Sequence, residues 1–140
     1  MIIVLVSHGD YAKSAKRSLE MITGEIKNMF PIGLYENMGK DDLKKEIQII
    51  LNEHKNEEFI LLSDLYGGTP SNVTVELGLQ DDRIHVVSGF NMGMLLDIVT
   101  SDCENIDEII RKIHSGISRY IKFPGEYLEV DLQCAESADL

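Results

Sequence analysis

The sequence predicts an α/β fold, a three-layer sandwich in which an open sheet of four parallel strands lies between helices. Short apolar runs alternate along the chain with segments of helical periodicity, an order that favours a parallel sheet. The chain of 140 residues is 44% hydrophobic and 26% charged, which suits one domain with one core. A last run, residues 127–132, alternates apolar and polar residues, so we expect an antiparallel edge strand or an arm that pairs with another subunit.

The first half of the chain contains three predicted strands and two predicted helices. Residues 2–7 form a short apolar run, and the next segment has apolar side chains at helical spacing. Asp10 is placed to cap that helix and Gly24 to end it. Pro31 interrupts the second apolar run. The predicted elements are strands 2–7, 26–33 and 59–63 and helices 11–23 and 40–54.

The second half continues the alternation. Thr69 is a suitable helix N-cap, and Pro70 is favoured at the first helical position. An isoleucine-rich helix runs from Ile106 to Ile117, and Pro124 with Gly125 then predicts a turn. The remaining predicted elements are a helix starting at 69, a strand over 83–88, a helix over 91–99 and the strand 127–132. We expect one domain over residues 1–132, followed by a flexible acidic tail, residues 133–140.

The charge and the apolar run lengths exclude several classes of protein. A net charge of −11 argues against binding to nucleic acid or to anionic membranes, because both favour clustered Lys and Arg. The N-terminal apolar run is far too short for a secretory signal or a membrane span. Cys103 and Cys134 match no metal or disulfide spacing. We therefore expect a cytoplasmic protein that contains no metal site.

His8 is the first candidate for a chemical role. It follows the first predicted strand, and Asp64 follows the third. Ligands and chemistry collect at the carboxyl ends of parallel strands, so the two side chains are expected at one rim of the sheet. A carboxylate bonded to one ring nitrogen fixes the imidazole tautomer and leaves the other nitrogen free to attack. Asp64 is the better placed carboxylate for this, and Asp10 the second.

An anion site is predicted beside this pair. Gly67 and Gly68 allow the backbone to approach a ligand closely, and Thr69 and Ser71 add hydroxyl donors. Helix N-termini at the same rim leave unpaired N–H groups that favour anions. The segment lacks the lysine of a P-loop. An imidazole, an orienting carboxylate and an anion cradle together describe a histidine that accepts a phosphoryl group.

These residues resemble a known family, the EIIA components of the mannose/fructose/sorbose type in the phosphoenolpyruvate-dependent sugar phosphotransferase system. The resemblance covers about residues 1–130 and rests on three motifs in matching order: Ser7-His8-Gly9, then Asp64-Leu65-Tyr66-Gly67-Gly68-Thr69-Pro70-Ser71-Asn72, then Gly89-Phe90-Asn91-Met92-Gly93-Met94-Leu95. Tyr66 stands where an aromatic residue, often Trp, is frequent in the family.

The resemblance implies a phosphoryl carrier without a cofactor. His8 would accept phosphate from HPr and pass it to a histidine of EIIB, upstream of the membrane subunits EIIC and EIID. Asp64 would orient the ring, and Thr69 would contact the phosphoryl group. It also implies an antiparallel fifth strand exchanged in a homodimer. EIIB is expected to be a separate protein, since nothing follows residue 140.

Partner proteins must reach His8 over an exposed rim, so we expect accessible apolar side chains around it, from Tyr66, Phe90 and Met92.

The sequence leaves two alternative functions open. One is a phosphocarrier that serves a dihydroxyacetone kinase, although the Gly-Gly-Thr-Pro segment is not expected there. The other is a non-enzymatic, flavodoxin-like binding module whose rim holds a nucleotide or flavin phosphate.

Overall fold

Four parallel strands form the sheet of the computed structural model, which describes residues 1–127. The strands are β1 (Ile2–His8), β2 (Met29–Leu34), β3 (Phe59–Ser63) and β4 (Ile84–Ser88), and their spatial order is β2-β1-β3-β4. In the register, Val6 of β1 lies between Ile32 and Ser63, and Ser63 pairs in turn with Ser88. The carboxyl ends of the two central strands therefore reach one rim together, as the sequence predicts.

Helices cover both faces of the sheet. They are α1 (Tyr11–Thr23), α2 (Lys40–Glu53), α3 (Thr69–Gln80), α4 (Met92–Val99), α5 (Ile106–Gly116) and the single turn α6 (Pro124–Tyr127), with a 3₁₀ turn over Ile117–Arg119. The buried side chains separate into two clusters. One holds side chains of α1, α4 and α5, and the other holds those of α2 and α3. The predicted three-layer arrangement of helices around a parallel sheet is confirmed.

The sequence of the central strand β1 is a continuous apolar run because the strand is buried on both faces. Ile3 and Leu5 belong to one buried cluster, whereas Val4 and Val6 belong to the other. A strand that is buried on both faces cannot alternate between apolar and polar residues. Each such fully buried aliphatic side chain contributes about 1.5–3 kcal/mol relative to exposure, so this strand anchors the layers that position the rim.

The second strand begins later than the sequence indicates. It covers Met29–Leu34 rather than 26–33. Ile26 is buried, but its backbone N–H donates to Oε2 of Glu20 at 3.1 Å instead of joining the ladder. Pro31 is accommodated inside β2 because β2 is an edge strand.

Two predicted helix caps are wrong. Asp10 precedes α1, but its side chain makes no capping hydrogen bond. Thr69 is the first helical residue of α3, and Gly68 takes the N-cap position instead. Gly24, by contrast, ends α1 as expected, with a φ of 83°.

The C-terminal predictions are only partly testable. Residues 124–127 form the helical turn α6 rather than the start of a strand, so a strand that begins at Tyr127 is wrong. The rest of the predicted strand, residues 128–132, and the predicted tail, residues 133–140, lie outside the described residues.

Candidate functional site

His8 and Asp64 form a hydrogen-bonded pair at the rim. Nδ1 of His8 lies 2.8 Å from Oδ2 of Asp64, and the same oxygen accepts the backbone N–H of His8 at 2.9 Å. The His8 side chain is 52% exposed, whereas that of Asp64 is 13% exposed. With the ring proton on Nδ1, the carboxylate accepts that proton's hydrogen bond and the lone pair of Nε2 is left unprotonated.

The Asp64 carboxylate is itself held firmly. Its second oxygen, Oδ1, accepts the backbone N–H of Leu65 at 2.9 Å. The backbone N–H of Asp64 donates to the carbonyl of Val6 at 3.2 Å, which extends the pairing of β3 with β1 by one step. Strand pairing therefore fixes the imidazole and its carboxylate partner relative to each other.

Gly68, the second glycine of the pair, lies directly against the imidazole. A Cβ placed on Gly68 would be 3.0 Å from Cε1 of His8 and 3.7 Å from Nε2. Gly67 adopts a φ of 84°, a conformation that favours glycine. The tight turn they form delivers the N-terminus of α3, with the unpaired N–H groups of its first turn, beside the reactive nitrogen.

The structure separates the two predicted hydroxyl donors. Thr69 is half-buried at the first position of α3, and its hydroxyl makes no hydrogen bond to another of the residues 1–127. Ser71 is 1% exposed, and its hydroxyl lies 2.9 Å from that of Ser88, which also accepts from Ser63 at 2.8 Å. The Ser71 hydroxyl is therefore bonded within the protein, and the assignment of Ser71 to the phosphate site stays a prediction.

The apolar ring around the rim differs from the predicted one. Tyr66 is 83% exposed, in agreement with a docking role, but Phe90 is only 3% exposed. The Phe90 ring stacks on Tyr11 with 5.0 Å between centroids, and half-buried Met92 packs against the core. The prediction that Phe90 offers an exposed surface is wrong. Exposed Leu65 and half-exposed Tyr11 were missed, and only their positions next to the motif residues could have indicated them.

A second polar group lies on the other side of His8. The hydroxyl of Tyr35 donates to Oδ1 of Asp10 at 2.6 Å and accepts from Nζ of Lys13 at 3.0 Å. The hydrogen bond with Tyr35 raises the pKa of Lys13, and the Asp10 carboxylate adds to the shift. Tyr35, Asp10 and His8 line the same open depression of about 920 Å³. Sequence reasoning missed this group because Tyr35 lies in a loop without periodicity.

The sequence of this chain matches a known protein family. Residues 2–114 match the model of the EIIA-man family, described as the PTS system fructose IIA component. The chain belongs to the EIIA-man family. It is thus a phosphotransferase-system EIIA component of the mannose/sorbose type, and such components are phosphocarrier proteins.

Individual EIIA relatives agree with this assignment. The chain is 35% identical over 101 residues to the sorbose-specific EIIA component of Lacticaseibacillus casei, covering 72% of this chain and 73% of that one. It is 31% identical over 102 residues to the fructose-specific EIIA component of Bacillus subtilis, covering 71% and 70%. The mannose/sorbose-specific IIA subunit of Enterococcus faecalis superposes with a TM-score of 0.80 at 29% identity, covering 87% of this chain and 93% of that one.

The described part of this EIIA chain offers neither a metal cluster nor a membrane-spanning helix. Residues 1–127 contain no cluster of His, Cys, Asp and Glu side chains suited to a metal ion. None of the helices over these residues has both the length and the apolar character to span a membrane.

Proposed function

We propose that His8 carries the phosphoryl group of this EIIA component, accepting it from HPr and passing it to a histidine of EIIB. The observation that carries the proposal is the 2.8 Å contact between Nδ1 of His8 and Asp64 in a ring that is half-exposed. EIIB then supplies the group to the sugar taken up by the membrane subunits EIIC and EIID, and we place this chain in the cytoplasm with its two transfer partners.

The transfer step needs only the residues at the rim. The lone pair of Nε2 of His8 attacks the phosphorus of phosphorylated HPr, and the N–P bond of the donor breaks with its electron pair returning to the donor nitrogen. The proton on Nδ1 stays in its hydrogen bond with Asp64. Transfer to EIIB repeats the step with His8 as the leaving group. Because donor, carrier and acceptor are all imidazoles, the transfer is close to reversible.

The N-terminus of α3 supplies the electrostatic support for this step. The phosphoryl group on Nε2 would lie beside Gly68, where the lack of a side chain leaves room. The hydroxyl of Thr69 and the free N–H groups of the first helical turn are then available to its equatorial oxygens. Asp64 binds the opposite nitrogen of the ring, which keeps its charge on the far side of the imidazole from the phosphoryl group.

We further propose that this EIIA component is a homodimer in which residues 128–132 of one copy add an antiparallel strand to the sheet of the other. Within residues 1–127, no strand pairs with the outer edge of β4. A groove of about 560 Å³ runs along this edge and is lined by apolar side chains of Val87, Ile110 and Ile113. The alternating side chains Leu128, Val130 and Leu132 suit such a groove.

Phosphorylation by purified partners tests the carrier role. The protein is incubated with phosphoenolpyruvate, enzyme I and HPr and analysed by mass spectrometry. We expect one acid-labile phosphate on the wild type and none on His8→Ala. The matched control is His114→Ala, which removes an exposed imidazole from α5 and should accept phosphate normally. Uptake of phosphate by His8→Ala would overturn the proposal, and a bound yellow chromophore in the purified protein would favour a flavin-binding module.

A further inference from the structure

We propose that Tyr35 and Lys13 act as a positioning pair that holds the Asp10 carboxylate away from the phosphoryl position on His8. This inference rests on the proposed function of His8. It assigns a task to the polar group beside β2, which the transfer step described above does not use.

The negative charge of the Asp10 carboxylate disfavours binding of an anion at His8 unless the carboxylate is held in place. Its carboxylate follows His8 by two residues and lines the same open depression. The phosphoryl group adds about two negative charges to the imidazole. Two like charges that face one open depression repel each other while they lie within the screening length, which is about 8–10 Å at ordinary salt. A freely moving carboxylate at this position would oppose arrival of the phosphoryl group.

The Asp10 carboxylate is bonded to Tyr35, and Tyr35 is bonded in turn to Lys13. The Tyr35 hydroxyl donates to the carboxylate at 2.6 Å, a short distance typical of a hydrogen bond to an ionised acceptor. Lys13 donates to the same hydroxyl at 3.0 Å, and its ammonium also lies 5.0 Å from the centroid of the Tyr35 ring. The lysine charge is thereby placed where it offsets that of Asp10, while the tyrosine fixes the direction in which the carboxylate points.

The backbone around Tyr35 is shaped to bring its ring to this position. A Cβ on Gly33 would overlap the carbonyl oxygen of Gly9 and lie 2.9 Å from the Tyr35 ring. The N–H of Gly9 donates to the carbonyl of Leu34 at 2.8 Å. The end of β2 therefore packs closely against the His8–Asp10 segment, and only a glycine at position 33 leaves space for the tyrosine ring.

Asp64, which contacts His8, and Asp10, which lies two residues after it, are therefore held by different partners. Asp64 is bonded to the ring and contributes to its orientation. Asp10 is bonded to Tyr35, on the side of the depression formed by β2. Glu36 also lines the depression, but it is exposed and remains in contact with solvent.

Removing the hydroxyl while keeping the ring tests the inference. Phosphorylation rates of His8 are measured with phosphorylated HPr and, separately, with phosphoramidate as a small phosphoryl donor. We expect Tyr35→Phe to slow both by about 3- to 10-fold, the size of one typical net hydrogen bond. Adding Asp10→Asn to Tyr35→Phe should restore the rate, because a neutral amide does not repel the phosphoryl group.

Rescue separates charge positioning from a purely structural role. If Tyr35 only stabilised the loop, the double variant would be as slow as Tyr35→Phe or slower, and this result would overturn the inference. Lys13→Met should also slow the reaction, and Asp10→Asn should rescue it. The matched control is Lys16→Met, which removes an ion-paired lysine one turn along α1, 3.9 Å from Glu20, and leaves the rate unaltered.

The small donor separates this inference from the proposed function. If the wild type accepts phosphate on His8 and Tyr35→Phe accepts it equally fast, the inference fails and the carrier role stands. If phosphoramidate labels His8 with the expected order of variants but HPr does not, the inference stands and the carrier role fails. Absence of label on His8 from both donors overturns both.

Discussion

Oδ2 of Asp64 accepts two hydrogen bonds from His8, one from Nδ1 at 2.8 Å and one from the backbone N–H at 2.9 Å. A single oxygen thus restrains both the main chain at the end of β1 and the rotation of the imidazole ring. Because Asp64 is tied to β1 through its own backbone N–H, the orientation of Nε2 is set by the sheet rather than by a mobile loop.

Replacement of Asp64 should therefore slow phosphorylation of His8 without unfolding the protein. We expect Asp64→Ala to lower the rate about 10- to 100-fold, by analogy with the loss of carboxylates that orient metal-bound imidazoles. Asp64→Asn should retain more activity, since its amide oxygen still accepts one of the bonds. A stopped-flow transfer assay gives the rate and circular dichroism the fold. An unchanged rate in Asp64→Ala would remove this residue from the mechanism.

Gly67 and Gly68 should respond differently to replacement by alanine. Gly68 has an ordinary φ of −76°, but its added Cβ would lie 3.0 Å from Cε1 of His8. We expect Gly68→Ala to impair phosphorylation with little loss of stability. At Gly67 the new Cβ meets no atom within 4 Å, but the φ of 84° costs about 1–2 kcal/mol for an L-residue.

Phosphorylation rates and urea unfolding, measured on both variants, check this contrast. Gly67→Ala should lose stability and keep more of its activity than Gly68→Ala. Equal rates for Gly68→Ala and the wild type would show that the imidazole does not react in the position found here.

The proximity of His8 and Asp64 could be predicted from topology once their strands are taken as parallel neighbours. Carboxyl ends of adjacent parallel strands meet at one rim, and β1 and β3 are adjacent. The same rule predicts that Gly67 and Gly68, which follow β3, lie at this rim. The prediction needed the strand order and the ends of the apolar runs, and it did not need any side-chain packing.

The wrong predictions for Phe90 and Asp10 concern side chains whose direction depends on the packing of distant segments. Phe90 lies just beyond the carboxyl end of β4, at the same rim as His8, but its ring is buried and stacks on Tyr11 of α1. Asp10 stands where a cap belongs, yet its carboxylate turns to Tyr35, which comes from a loop 25 residues away. No local pattern reports such contacts, since they depend on how α1 and the end of β2 approach each other.

An acid titration should reveal the ion pairs between α2 and α3. Lys40 and Lys44 bond the Glu76 carboxylate at 2.7 and 2.8 Å and lower the pKa of Glu76 from 4.5 to about 2. A lowered pKa stabilises the folded state fully above the unfolded value, and this contribution disappears as the pH falls through the folded value. The stability gap between wild type and Glu76→Gln should be constant near neutral pH and close between pH 4.5 and 2.

Urea unfolding of both proteins across this pH range measures the gap. Glu53→Gln serves as the control, because Glu53 is an exposed carboxylate at the end of α2 that pairs with no cation among residues 1–127. A gap of the same size at pH 7 and pH 2 would show that the lysines do not stabilise the ionised carboxylate.

Removal of the C-terminal segment should weaken the proposed dimer. A chain that ends before Tyr127 lacks the alternating residues assigned to the β4 groove, so its apolar side chains remain uncovered. We expect a lower sedimentation coefficient at a concentration at which the full chain is dimeric. A chain that ends at residue 132 lacks only the acidic tail and should remain dimeric. An unchanged dimer in the shorter chain would contradict the exchange of strands.

The two hydroxyl residues at the start of α3 should separate binding from stability. The Ser71 hydroxyl is buried and bonded to Ser88, so Ser71→Ala should cost about 0.5–1.5 kcal/mol of stability and leave phosphorylation nearly unaffected. The Thr69 hydroxyl makes no hydrogen bond within residues 1–127, so Thr69→Ala should slow phosphorylation about 3- to 10-fold, the size of one typical net hydrogen bond, with little change in stability. Urea unfolding and transfer rates are measured on both variants. If Ser71→Ala lowers the rate and Thr69→Ala does not, the phosphoryl group binds deeper in the first turn of α3 than proposed.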